Sequence, residues 1–167
     1  ALVAYLLGYN VINLGIPGGS NDAMFRLFLD HANDYDLVIA AWSGFNRSEF
    51  FYNDAWYNLA PGAAMSSIKE YHKQWYVHNA HDTQGRLNKI KNVIALNSLS
   101  SVPVINCESF WPVWDYKWPS SVNWPLSNND NFWDWSNRNN YKRTQDGHFE
   151  LAAHQDYAKI IVENLKL

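Results

Sequence analysis

The chain has little of what most quickly assigns a protein. A single cysteine, Cys107, rules out an internal disulfide and fits a reducing compartment. No charge sign is in excess: 13 Lys+Arg stand against 16 Asp+Glu. That balance excludes a dedicated nucleic-acid binder, whose phosphate contacts need a clustered basic face. No apolar run reaches the roughly 20 residues of a membrane span, so no membrane partner is expected. Leu2–Leu7 is apolar but has neither the basic leader nor the cleavage site of a signal peptide. Neither glycine-rich phosphate motif, G-x-G-x-x-G or G-x-x-x-x-G-K-[ST], is present. Paired cysteines and H-E-x-x-H are also missing, and His72, His78, His81 and Asp82 do not converge with a third ligand at one place. No metal and no other cofactor is expected.

Aromatic residues, by contrast, are abundant: 9 Trp and 10 Tyr in 167 residues, a length that suits one domain (1–167) with a real core. Trp111, Trp114, Trp118, Trp124, Trp133 and Trp135 crowd into an aperiodic stretch, 110–143, read as an insertion before the last helix. Such a stretch either packs its own small core or presents rings to a sugar or an apolar partner.

Periodicity orders the rest. Ala1–Leu7 ends a helix closed by Gly8, and Val11–Leu14 has the composition of a short strand. Gly15 to Gly19 is a tight loop with Pro17; Ser20 or Asn21 then caps an amphipathic helix, Asp22–Asn33. Leu37–Ala41 is a continuous apolar run of the kind a buried parallel strand shows, and Val102–Asn106 reads as a further buried strand. Arg47–Leu59 is aromatic and irregular. Ser66–Leu99 is helical in composition, with Gly85 expected to divide it, and Glu150–Leu165 is the final helix. This alternation predicts an α/β fold, a parallel sheet with helices on both faces, whose working groups lie on loops beyond the strands' carboxyl ends.

Three loops qualify. In Asp146-Gly147-His148 a carboxylate stands two residues before a histidine, the pairing a general base needs to fix its tautomer, although an ordinary surface loop has the same composition. His154, inside the last helix, is a spare candidate more in keeping with packing. Gly18-Gly19-Ser20-Asn21 opens a helix whose free N–H groups suit an anion or an oxyanion, or form only a capped turn. Trp42-Ser43-Gly44-Phe45-Asn46-Arg47-Ser48-Glu49 follows a buried strand; the Asn46 amide suits an oxyanion, and Arg47 with Glu49 suits a brace. Ser43 lacks the G-x-S-x-G of a nucleophile elbow.

These loops, in this order, resemble the SGNH (GDSL-type) hydrolase superfamily, in its divergent phage and marine-environmental branch. The resemblance is carried by Val11–Asn21, by Asp36–Ala40 with Trp42-Ser43 through Arg47-Ser48-Glu49, and by Asp146-Gly147-His148 with Ala153-His154 and Tyr157-Ala158. It implies a three-layer flavodoxin-like sheet and a serine ester hydrolase. A serine attacks the ester carbonyl, His148 takes its proton, Asp146 orients His148, and Gly18 or Gly19 with Asn46 holds the oxyanion. The tryptophans suggest an acylated saccharide as substrate. The family's nucleophile motif, Gly-Asp-Ser or Gly-Cys-Ser on the first strand, occurs nowhere in the chain. That implies a nucleophile lying upstream and an inactive chain, unless Ser20 or Ser43 replaces it. A missing first strand leaves a sheet edge, which predicts either a homo-oligomer formed through that edge or a sheet closed up without it. The alternative reading is a non-catalytic domain that binds a glycan or a protein through the Trp-rich insertion.

Overall fold

The computed structural model describes residues 2–31, 34–59, 70, 74, 81–109, 116–124 and 131–165. It is an α/β structure. Its centre is a pair of parallel strands, β1 (Val38–Trp42) and β4 (Val104–Glu108), in register from Val38↔Val104 to Trp42↔Glu108. Every residue of β4 is buried, including the polar Asn106 and the charged Glu108.

Each face of this pair has its own core. Pleating sends Ala40, Trp42 and Val104 to one side, where they meet Phe28 of α2 (Asn21–Asp30) and Val93 and Leu96 of α3 (Asp82–Leu99). Ile105 and Cys107 point to the other, against Val3 of α1 (Leu2–Leu6), Trp135 of α4 (Phe132–Arg138) and Tyr157 and Ile161 of α5 (Leu151–Glu163). Ser20 caps α2 by accepting the Ala23 N–H at 3.0 Å. Gly8, at φ +75°, closes α1.

Cys107 belongs to the second core. Burial, then the neighbouring Glu108 charge, pushes its thiol up to about 12. The native protein is therefore expected not to react with iodoacetamide at pH 8, and to react readily once unfolded in urea. The unfolded thiol ionises near 9.0 and the folded one near 12, so this contribution to stability is complete below pH 9.0 and is lost as pH rises toward 12. Rapid labelling of the folded chain would contradict this.

Several elements differ from the sequence expectation. Val11–Leu14 forms no strand: no described strand lies beside it, Ile12 is 63 % exposed, and extended backbone without a partner bonds to water instead. Arg47–Leu59 is not irregular. It is an antiparallel hairpin, β2 (Ser48–Tyr52) and β3 (Ala55–Leu59), turned by Asn53 and Asp54, both at positive φ. That is the conformation a two-residue hairpin loop demands, and Asn and Asp tolerate it. Gly85 does not divide a helix, for α3 runs through it. A Cβ there would sit 2.2 Å from the Phe45 carbonyl oxygen, so the glycine serves the close approach of α3 to the loop after β1. The remainder of Ser66–Leu99 ahead of His81, including His72 and His78, lies outside the described residues except Glu70 and Gln74.

The described part of the Trp-rich stretch joins the main cores. Trp118 and Trp124 pack on the α2–α3 side and Trp135 is buried against α5; Trp111 and Trp114 lie outside the described residues. The Asn123 carbonyl accepts the Asn106 N–H at 3.0 Å, which covers the outer edge of β4. Among the described residues, no strand pairs with the opposite edge, that of β1, where Ala41 is exposed.

Candidate functional site

Two of the three sequence-predicted loops meet. The carboxyl end of β1 runs into Ser43, and the first turn of α2 clamps it. The Asn21 side-chain amide mimics a peptide: its Oδ1 accepts the Ser43 N–H at 2.9 Å and its Nδ2 donates to the Ser43 carbonyl at 3.2 Å. The Ser43 hydroxyl donates to the Gly19 carbonyl at 3.1 Å, with Asn21 Oδ1 at 3.2 Å. Asn58 Oδ1 on β3 accepts the Ser20 N–H at 3.2 Å, which ties the hairpin to the same turn. The glycine loop, the β1 end and the hairpin are thus one hydrogen-bonded unit.

Beneath it lies a charged pair that sequence reasoning missed. Lys89 of α3 is 0 % exposed; its Nζ donates to the Ser43 carbonyl at 3.1 Å and to the Glu108 carboxylate at the end of β4. Burial pulls the Lys89 ammonium down, and Glu108 opposes that. A signal was available. Lys89, Val93 and Leu96 are spaced as one helix face, and a lysine within an apolar stripe needs a buried partner. Glu108, closing the apolar strand Val104–Cys107, was the residue to pair it with.

The glycine turn is shaped by Gly18 at φ +72° and by the Gly19 N–H, which is committed to the Ile16 carbonyl at 2.9 Å. Of the two glycines, Gly18 is therefore the one whose N–H has no backbone acceptor among the described residues. Ser20 is buried as the cap. The guanidinium that grips Glu49 is that of Arg26, with Nε at 3.2 Å and Nη2 at 3.1 Å from the two carboxylate oxygens, a bidentate brace between α2 and β2. Trp42 is fully buried, its Nε1 donating to Asn106 Oδ1 at 2.8 Å.

Asn46 and Arg47 line an open groove of about 570 Å³ between the loop after β1 and α3. Asp22 contributes to its wall and accepts from Asn88 and Asn92 of α3 at 2.6 and 2.9 Å.

The third loop stands on other elements. Asp146 and His148 are exposed, just ahead of α5. Asp146 Oδ1 accepts the Thr144 hydroxyl and, at 3.3 Å, the His148 main-chain N–H; these bonds and the His148 charge hold its carboxyl below the usual range. The carboxylate thus orders the His148 backbone, in a loop where the Thr144 N–H also donates to the His148 carbonyl at 2.7 Å. Among the described residues, no hydrogen bond or ion pair joins Asp146 or His148 to Ser20, Asn21 or Ser43. His154 packs its ring against Phe132 at 4.5 Å, and partial burial, with His148 nearby, lowers its pKa.

No group of three His, Cys, Asp or Glu among the described residues is placed to hold a metal, and no described helix is long and apolar enough to cross a membrane. No protein-family model matches the chain, and no significant match was found among curated proteins or solved structures.

Proposed function

We propose that this chain is the body of a serine ester hydrolase of the SGNH type, built on a flavodoxin-like three-layer sheet, with the nucleophile carried by a segment outside these residues. One observation carries the proposal. Two loops distant in sequence, Gly18–Asn21 and Ser43–Arg47, are locked together at the carboxyl end of a parallel strand by the Asn21–Ser43 bonds. That is where an open α/β sheet presents its working groups.

In the proposed reaction the serine oxygen attacks the ester carbonyl and its proton passes to His148. The carbonyl becomes an oxyanion, held by the Gly18 N–H and the Asn46 amide. Collapse expels the alcohol, which takes the proton from His148. Water then repeats the cycle and releases the acid. Asp146 contributes by setting the His148 main chain. An external nucleophile is supported by the state of the two candidate serines, Ser20 and Ser43. The Ser20 hydroxyl accepts the Ala23 N–H as a helix cap, and the Ser43 hydroxyl is buried on the Gly19 carbonyl.

The engagement of both hydroxyls also favours the second reading, a non-catalytic domain that binds a glycan or a protein through the Trp-rich insertion. Fluorophosphonate labelling with mass spectrometry, alongside p-nitrophenyl acetate turnover, decides between them. The chain alone is expected to take no adduct. Preceded by a strand bearing Gly-Asp-Ser or Gly-Cys-Ser, it is expected to take an adduct on that serine and to gain turnover that His148→Ala removes. An adduct on Ser20 or Ser43 would overturn the external nucleophile, and an inert extended chain would leave the binding domain.

A further inference from the structure

The groove beside the candidate site has a lining that selects for a chemical class. Its acids and bases are interleaved, Asp22, Glu49 and Asp82 with Arg47, His81 and Lys91. Two of the three carboxylates are already engaged, Asp22 by the Asn88 and Asn92 amides and Glu49 by Arg26. The groove therefore has no single-signed field to draw an ion. Phe45 and Leu87 add apolar surface to the lining, but the charged groups stand among them, and an acyl chain would strip those of water without replacing their hydrogen bonds. A neutral ligand that both donates and accepts at many points suits it.

The hairpin adds an independent observation. Side chains alternate along β2, so Phe51 lies on the same face as Glu49, about 7 Å further along. Its cross-strand partner is Trp56. The two rings are 5.2 Å apart at 57°, and they are 56 % and 47 % exposed. Arg26 lies over the Trp56 ring at 4.6 Å while it grips Glu49, so one guanidinium fixes both the groove wall and the ring beyond it. Polar wall and aromatic shelf follow one another along a single face. A saccharide chain has this combination, with hydroxyls at its edges and C–H groups on its ring faces.

We propose that this groove and the Phe51–Trp56 shelf form a saccharide-binding subsite, so that the alcohol side of the ester is an oligosaccharide. The substrate assignment rests on the hydrolase reading; the binding surface does not. The test is saturation-transfer NMR on the purified chain with three probes, xylohexaose, chitohexaose and maltohexaose, followed by titration of any that binds. At least one probe is expected to bind, with Kd raised about tenfold by Trp56→Ala and by Gln84→Ala, which alters the α3 wall. Gln84 is exposed on α3, so that variant keeps the test valid even if the hairpin variant fails to fold. No transfer from any probe overturns the proposal. So does binding that neither folded variant weakens, which would place it elsewhere. Saccharide binding by a chain whose extended form stays inert to fluorophosphonate would sink the hydrolase reading and leave the subsite; turnover of p-nitrophenyl acetate without saccharide binding would do the reverse.

Discussion

Lys89→Met is expected to lower the unfolding free energy by about 3–5 kcal/mol, a large part of what a domain of this size has. The reason is the charge left behind. Glu108 has a side chain only 4 % exposed, and the Lys89 ammonium is its ion-pair partner across α3 and β4. Without it the buried carboxylate loses its ammonium partner. The Ser43 carbonyl also loses one of its two side-chain donors, keeping Asn21 Nδ2. Urea unfolding reads the loss as a lower midpoint at unchanged slope. Adding Glu108→Leu to Lys89→Met is expected to recover most of the stability, because an apolar pair of similar volume avoids the desolvation that the ions suffer. The Ser43 amide should nevertheless exchange faster with deuterium in the double variant than in the parent, since the pair's remaining effect is to hold that loop. A single Lys89→Met variant as stable as the parent would show that the pair does not anchor the fold.

Trp42→Ala is expected to cost about 3–5 kcal/mol through the cavity it opens in the α2–α3 core. Trp42 has no exposed surface and packs in the cluster that contains Phe28, Val93 and Leu96. It also ends β1, so its removal loosens the strand that delivers Ser43. Trp42→Phe separates the two contributions. It loses the bond from Nε1 to Asn106 Oδ1, which still accepts from Asn97 at 3.2 Å, and opens a smaller cavity than alanine does. Its cost should therefore exceed the roughly 1 kcal/mol of the bond alone and stay below that of the alanine variant. An alanine variant within 1 kcal/mol of the parent would mean that the core collapses around the gap, contrary to its dense packing.

The tryptophans show why composition alone misleads. Six within 110–135 suggest an insertion with a core or a surface of its own. Trp118, Trp124 and Trp135 instead pack into the two cores on either face of the parallel β1–β4 pair, where large rings fill the space beside the strands. Apart from Tyr5 and Tyr9, the exposed aromatic surface among the described residues belongs to the hairpin, whose Asn53-Asp54 turn between two aromatic-rich runs was legible as a hairpin signal.

The sequence by itself determined the local rules. The apolar residues 38–41 and 104–105 became parts of parallel strands because apolar residues can be buried on both sides of a sheet. Ser20 and Gly8 closed helix ends because an oxygen acceptor and a residue free to adopt positive φ are what those ends lack. The motif order placed Gly18–Asn21 and Ser43–Glu49 beside the site that the fold then joined. Only the tertiary structure decided which groups pair across the chain: Asn21 with Ser43, Arg26 with Glu49, Lys89 with Glu108. Separations of 22, 23 and 19 residues leave no periodic trace in the sequence. These contacts follow from where helices lie on a sheet, and that is a property of packing.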